Sequence, residues 1–280
     1  MKIEATNWQA LSTAERIRYL EVEGYVVIPD AMTPEQLEAV REEVTRLPMQ
    51  LNAYHHLQGG TIREPQWDSP ACGELIANTP VIDYLEHVIG DDIVFISGGY
   101  RYYDPGAIGV AFHTDGYPYG SNLGGWLWTC PVIVRVSYYL DDLTEEMGAF
   151  RIVPRSHICI HSDANPYLRF DEHPEEVGLL AKAGDAVIFM SQIFHAAAPN
   201  ISDRQRRVLL YGYRPAWAGP LQPVDEWNLE DLAKAPESAE RFLQPLNTKG
   251  WQWELQNRPA HMYGREAPGV NPSRWGDGTG

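Results

Sequence analysis

Ala183-Gly184-Asp185-Ala186-Val187-Ile188-Phe189-Met190 and, beyond the turn Ala198-Pro199-Asn200, Val208-Leu209-Leu210-Tyr211-Gly212-Tyr213 decide the fold class. Each run is short, rich in β-branched and aromatic side chains, and preceded by turn-forming residues, which reads as a strand. The same texture extends back to Asp92 through Val94-Phe95-Ile96, Tyr100–Tyr103, Val132–Leu140 and Phe150–Val153. Asp104-Pro105-Gly106 and Glu146-Met147-Gly148 punctuate these runs. Several short strands without intervening helices predict an antiparallel barrel or two-sheet jelly roll.

Helices are expected on either side of this core. Ser12-Thr13-Ala14-Glu15 opens a capped helix that Gly24 stops, and Tyr25-Val26-Val27-Ile28 follows as a strand. Thr33-Pro34-Glu35-Gln36 starts a second helix, with Leu37, Val40 and Val44 at helical spacing. A third covers Pro80 to Ile89 before Gly90. Residues 217–280 carry five of the nine tryptophans (Trp217, Trp227, Trp251, Trp253, Trp275), a content foreign to disordered tails. The expectation is one domain: a mainly helical part over 1–90, a β core over 91–216, and a Trp-rich extension over 217–280 packed on that core.

Composition excludes several function classes. The 22 Lys and Arg against 38 Asp and Glu leave a net charge of −16, so nucleic acid and anionic membranes meet repulsion. The longest basic cluster in the linear sequence is Arg204, Arg206 and Arg207. Three cysteines (Cys72, Cys130, Cys159) form neither a closed disulfide framework nor a CxxC pair. The first ten residues lack an apolar signal region, and no apolar run reaches the ~18–20 residues of a membrane span. The expectation is an acidic cytoplasmic protein, without nucleic-acid or membrane partners, that acts on a small molecule.

His113-Thr114-Asp115 is the first chemical candidate, because residues i and i+2 of an extended segment share a face. Alone it is weak: roughly one His-x-Asp/Glu match is expected by accident, and His161/Asp163 and His173/Glu175 also occur. Context separates them. His113/Asp115 follows a strand, and 82 residues on comes His195, placed at the end of the strand that Ala186–Met190 opens. Eleven residues further, Arg206 enters the next strand, so His195 and Arg206 are expected on consecutive antiparallel strands facing one cavity. Two histidines and one carboxylate with open positions are the donor set of non-haem Fe(II) oxygenases, and a buried guanidinium would fork onto a carboxylate. Arg207 is the rival for that role, since a one-residue slip of register exchanges the two.

Ordered motifs from Gly24 to Arg214, about 190 of the 280 residues, extend the match. They are Gly24-Tyr25-Val26-Val27-Ile28, His113-Thr114-Asp115, Leu140-Asp141-Asp142, the run Met147 to His157, Ala183 to Phe189, His195, and Asn200-Ile201-Ser202 through Arg206. With them the chain resembles the phytanoyl-CoA dioxygenase-like branch of the Fe(II)/2-oxoglutarate-dependent oxygenases. That resemblance implies a double-stranded β-helix (a cupin-like jelly roll), with iron on His113, Asp115 and His195 and the far carboxylate of 2-oxoglutarate on Arg206. It further implies O2 as co-substrate and oxidation of an unactivated C–H bond, coupled to decarboxylation of 2-oxoglutarate to succinate. Hydroxylation is the default; desaturation, epoxidation and ring closure need only another substrate pose, as in secondary metabolism. Relatives that halogenate lack the metal carboxylate, and Asp115 is present.

Many relatives carry Trp where this chain has Ser137. An inward Ser137 brings Arg135 and Tyr139 inward too, so Ser137 and Arg135 are candidate oxoglutarate contacts. A buried Arg135 needs an acid: oxoglutarate, substrate or a protein carboxylate. Gly116 to Cys130 is a candidate lid, with Tyr117, Trp126 and Trp128 as substrate wall. It holds no Lys or Arg, so the substrate is expected to be neutral, cationic or singly acidic rather than an acyl-CoA thioester. Two rivals stand beside this reading: a cupin-like isomerase that uses no oxoglutarate, and a non-catalytic β-sandwich binding module.

Overall fold

Two capping boxes launch the N-terminal helices. Ser12 and Glu15 exchange side-chain and backbone hydrogen bonds, as do Thr33 and Gln36. In the computed structural model, which describes residues 1–51, 58–115, 133–158, 172–220 and 222–247, these boxes begin α1 (Thr13–Glu23) and α2 (Pro34–Val44). Strand β1 (Lys2–Ile3) precedes them and β2 (Tyr25–Ile28) lies between them. Next come β3 (Gln50–Leu51), β4 (Gly59–Arg63), α3 (Pro70–Glu74) and α4 (Thr79–Ile89). The core strands are β5 (Ile93–Tyr103), β6 (Val110–His113), β7 (Val134–Tyr139) and β8 (Phe150–Ile152). They continue with β9 (Val177–Leu179), β10 (Ala186–Met190), β11 (His195–Ala197) and β12 (Arg206–Pro215), and a short α5 (Leu229–Leu232) follows.

The strands form two facing sheets, ordered β1-β9-β8-β11-β6 and β2-β10-β7-β12-β5-β4-β3. Every pairing is antiparallel except β1 with β9. This is the mainly β jelly roll that the strand texture predicts. Alternation along β7 divides the interior: Val134, Val136 and Tyr138 pack outward against the helices, with Val40, Val44, Ile82 and Leu85. Arg135, Ser137 and Tyr139 turn the other way and line a cavity between the sheets. Tyr25, Val27, Phe150, Ile152, Leu179 and Phe189 build the apolar layer around that cavity.

Two sequence expectations change. Val94–Ile96 and Tyr100–Tyr103 are one strand, because Gly98 and Gly99 stay in register with Tyr211 and Leu210 of β12. At Gly98 a side chain would occupy the place of the Gln66 amide, whose Oε1 abuts the position of a Cβ. His195, expected on a continuation of Ala186–Met190, instead opens its own strand. β10 ends at Met190, a turn intervenes, and β11 joins the opposite sheet. His195 and Arg206 therefore lie on strands consecutive in sequence but in different sheets, facing each other across the cavity rather than side by side.

Short α3 was not legible in the sequence. Its carbonyls and those just after it are satisfied from below: the buried hydroxyls of Tyr211 and Tyr213 donate to the carbonyls of Cys72 and Ile76. Trp227 of the C-terminal region packs against Trp67 and Phe95, and Phe242 and Leu246 are buried. Trp251, Trp253 and Trp275 lie outside the described residues, as do Cys130 and Cys159. Among the described residues no helix is long and apolar enough to cross a membrane.

Gly24 joins α1 to the sheet with φ of 89°, a left-handed conformation. A Cβ there would stand 2.5 Å from His157 Nδ1 and 2.7 Å from Ile193 Cδ1. His157 in turn hydrogen-bonds the Glu21 carbonyl at 2.9 Å, a supporting role at the end of α1. Gly24→Ala is expected to cost roughly 1–3 kcal/mol, from backbone strain plus the clash. Urea unfolding of the two proteins measures it, and an unchanged midpoint would refute the account.

Candidate metal centre and its arginine-lined cavity

His113 ends β6, Asp115 lies two residues further, and His195 begins β11, paired directly across from His113. The imidazole centroids are 4.3 Å apart, and His113 Nε2 is 3.8 Å from Asp115 Oδ1. One donor atom from each of the three residues lies within 4.8 Å of the others. Among the described residues no other such group of His, Cys, Asp or Glu occurs.

Both histidines are oriented the same way. His113 Nδ1 lies 2.8 Å from the Ala111 carbonyl and His195 Nδ1 lies 2.9 Å from the Ile193 carbonyl, each two residues back. A carbonyl only accepts, so each Nδ1 carries a proton, which in the neutral ring leaves the lone pair on Nε2. That is the tautomer a metal requires, fixed by the backbone. Desolvation, followed by the neighbouring His113, pushes His195 down to about 4 against the opposing pull of Asp115, so it stays neutral at physiological pH. Desolvation alone would raise the Asp115 carboxyl, but Arg135, His195, His113 and Arg101 together hold it below its ordinary value. Its backbone is fastened as well, with the N–H donating to the Ser191 carbonyl at 2.9 Å. Two imidazoles that present Nε2 and one carboxylate suit an Fe(II)-type ion and leave coordination positions open.

Arg135 faces the cavity and finds a protein acid: its Nε lies 3.0 Å from Asp115 Oδ2, and Nη1 donates to Ser97 Oγ at 2.8 Å. Ser137 is buried beside it on the cavity wall. Arg206 is 4% exposed, with its guanidinium 4.2 Å above the Tyr103 ring, one Nη donating to the Gly148 carbonyl, and Nε unpartnered. Arg207 points away and forks onto Asp141, through Nε at 2.9 Å and Nη2 at 2.5 Å. Alternation thus separates the two arginines, and only Arg206 lines the cavity.

The cavity has a volume of about 510 Å³. Sequence reasoning missed part of its wall. Arg63 on β4 and Arg101 on β5 join Arg135 and Arg206, with Asp115 the one acid among the described lining residues. A protein whose net charge and linear pattern suggest no basic patch beyond Arg204–Arg207 therefore builds one, from four separate strands. The available signal was strand alternation, which puts Arg101 on the same face as Gly99 and Tyr103. Tyr117, Trp126 and Trp128 lie outside the described residues, as do His161 and Asp163. His173 is buried against Phe112, 4.6 Å between ring centroids, in a separate cluster with Phe194.

The chain matches the family model for phytanoyl-CoA dioxygenase (PhyH) over residues 20–208. It is 24% identical over 178 residues to dioxygenase af480 of Aspergillus fumigatus, covering 61% of this chain but only 52% of that relative's length. It is also 24% identical over 239 residues to a probable alpha-ketoglutarate-dependent hypophosphite dioxygenase of Stutzerimonas stutzeri, covering 74% of this chain and 80% of the relative. In fold it is similar to the alpha ketoglutarate dependent carbocyclase SnoK from nogalamycin biosynthesis, with a TM-score of 0.63 at 19% identity over 89% of this chain and 97% of SnoK. HygX from Streptomyces hygroscopicus, crystallised with nickel, 2-oxoglutarate and hygromycin B, has a TM-score of 0.60 at 19% identity, over 73% of this chain and 88% of HygX.

Proposed function

The chain belongs to the phytanoyl-CoA dioxygenase (PhyH) family, and on that premise we propose that it oxidises an unactivated C–H bond of a small organic molecule inside the arginine-lined cavity. As a family member it is a non-haem Fe(II)- and 2-oxoglutarate-dependent dioxygenase that uses O2. In our reading His113, Asp115 and His195 hold the iron, Arg206 holds the far carboxylate of oxoglutarate, and Ser137 lies beside that co-substrate. The observation that carries the reading is the convergence of three pre-oriented donors on one cavity whose wall also holds a buried, incompletely paired guanidinium. Bound there, iron with oxoglutarate and O2 supplies the oxidising power for C–H cleavage, with succinate and CO2 as co-products.

The chain's own residues supply placement. The Nδ1 bonds of His113 and His195 to backbone carbonyls fix the ring orientation and turn both Nε2 atoms toward the centre. Arg135 engages Asp115 Oδ2 and leaves Oδ1 toward the histidines, which makes it a positioning residue for the carboxylate. Val208, Phe150 and Phe189 line part of the cavity with apolar surface. Hydroxylation is the default outcome of this proposal; desaturation, epoxidation and ring closure need only other substrate poses.

The test is anaerobic addition of Fe(II) and then 2-oxoglutarate to the purified chain, followed by visible absorption. A chelate charge-transfer band is expected in the wild type and not in His113→Ala. Iron binding without any band on adding oxoglutarate overturns the reading.

Gly212 offers a gentler probe of the same site. A Cβ there would stand 2.6 Å from both Arg135 Nη1 and Ser97 Oγ, so Gly212→Ala must push the arginine aside. Ile96 Cγ1 also lies 3.0 Å from that position, so a stability loss of roughly 1–3 kcal/mol is expected beside the effect on the arginine. Metal affinity is expected to fall roughly tenfold, the usual scale for disturbing a ligand's support. Co(II) titration measures it, and wild-type affinity would show that Arg135 does not position Asp115.

A further inference from the structure

The metal centre occupies one face of the smaller sheet, and a second cluster occupies the other. Phe112 precedes His113 on β6, and Phe194 precedes His195 at the entry to β11. Successive side chains of a strand point to opposite faces, so the histidines face the cavity and the phenylalanines stand behind them. There the two rings stack, with centroids 5.3 Å apart and planes inclined by 15°. Both phenylalanines are fully buried.

Their place in the chain gives the stack its leverage. Each histidine ring is oriented by a hydrogen bond from Nδ1 to the carbonyl two residues back, Ala111 for His113 and Ile193 for His195. Phe112 and Phe194 are the residues enclosed by those two loops. A shift of either phenylalanine therefore moves the peptide that orients a ligand, and the stack ties one ligand's loop to the other's.

The stack is itself held in place. His173 is buried and meets both rings edge-on, with its centroid 4.6 Å from that of Phe112 and 5.5 Å from that of Phe194. The Arg151 guanidinium lies over the Phe112 ring, 4.6 Å from its centroid, and pairs with Glu176 at 2.5 Å. Glu176, its side chain 2% exposed, also accepts the His173 N–H at 3.4 Å. The Phe194 backbone is bonded on both sides: its N–H donates to Ser156 Oγ at 2.8 Å, and its carbonyl accepts from the Val153 N–H at 2.9 Å. Simple filling of space would need none of these polar anchors. A buried ion pair adds little net stability over apolar packing of the same volume, so its use here is to fix one arrangement.

We infer that Phe112 and Phe194, clamped by His173 and the Arg151–Glu176 pair, form a positioning device that sets the separation and tilt of the two imidazole ligands, whose centroids stand 4.3 Å apart. His173, which belongs to one of the His-x-acid pairs outside the centre, thus serves the metal from behind without touching it. The inference rests on His113 and His195 being the ligands.

The experiment is titration of the full chain with Co(II), standing in for Fe(II), without oxoglutarate. It reads affinity and the visible absorption of the bound ion, which reports coordination geometry. Phe194→Leu and His173→Leu are each expected to weaken binding tenfold or more, the scale for disturbing a ligand's support, and to shift the band. His173→Phe keeps an edge-on ring and is expected to stay within threefold of the wild type. Leu85→Ala is the stability control. It opens a cavity in the helical layer on the other sheet, so it should lower the urea midpoint and keep Co(II) affinity within threefold. Should the leucine variants fail to fold, Arg151→Met/Glu176→Gln loosens the clamp with all three rings in place and carries the same expectation. Wild-type affinity and absorption in these variants overturn the inference. So does a loss in Leu85→Ala as large as theirs, since metal affinity would then merely follow stability. Failure of the underlying reading shows separately, as a wild type that binds no Co(II).

Discussion

Asp115→Ala is expected to reduce oxoglutarate-dependent succinate formation by more than about 100-fold while the protein still folds. Disturbing the support of a metal ligand already costs 10–100-fold, so removing the ligand itself should exceed that. The change also leaves Arg135 facing two imidazoles and a metal with no carboxylate between them. Fold survival follows from the setting. Asp115 lies just past a strand end, its side chain is 31% exposed, and its backbone N–H bond to the Ser191 carbonyl remains. Losing the pair with Arg135 costs some stability, because its Nε is buried, but the change removes no core side chain. His113→Ala and His195→Ala should behave alike in turnover, whereas Asp163→Ala should be close to silent. Succinate release alongside circular dichroism decides the matter, and more than a tenth of wild-type turnover in Asp115→Ala would remove this carboxylate from the centre.

Arg206→Ala is expected to raise KM for 2-oxoglutarate about 30-fold or more, with a much smaller effect on substrate affinity. Truncating one partner of a buried charge-assisted pair costs about 2–5 kcal/mol, and 1.4 kcal/mol is tenfold. The guanidinium qualifies because it is 4% exposed and held rigid by the Tyr103 ring and the Gly148 carbonyl, with Nε unpartnered. Arg207→Ala is the control. Its bidentate pair with Asp141 lies on the other face of β12, so that variant should lose some stability and keep its KM. Steady-state kinetics at varied oxoglutarate distinguishes them. The KM phenotype appearing in Arg207→Ala would mean that oxoglutarate sits elsewhere.

Much of this molecule can be read without its coordinates. Ser12/Glu15 and Thr33/Gln36 announce two helix starts, since a capping box satisfies local backbone groups with side chains three residues away. Alternation in Val134–Tyr139 puts Arg135, Ser137 and Tyr139 on one face, because successive side chains of a strand must point to opposite faces, and that face lines the cavity. His113-x-Asp115 with a distal His195 announces a donor set, and the three residues do converge. Less was legible where sequence signals conflict. Gly98-Gly99 looks like a break, yet β5 runs through it because both glycines stay in register with β12, and at Gly98 the Gln66 amide fills the place of a side chain.

What the sequence by itself determined, then, are properties of short range: strand and helix periods, caps, turns and the spacing of ligands. These follow from sterics and hydrogen bonding within a few residues. Only the tertiary structure decided that His195 crosses into the opposite sheet from Arg206, that Arg207 turns to Asp141, and that Arg135 binds Asp115 rather than a free anion. It alone brought Arg63 and Arg206, 143 residues apart, onto one cavity wall in a chain of net charge −16. Which strands lie side by side depends on long-range pairing that no local pattern encodes, and the local charge of a site follows from that pairing rather than from the composition of the chain.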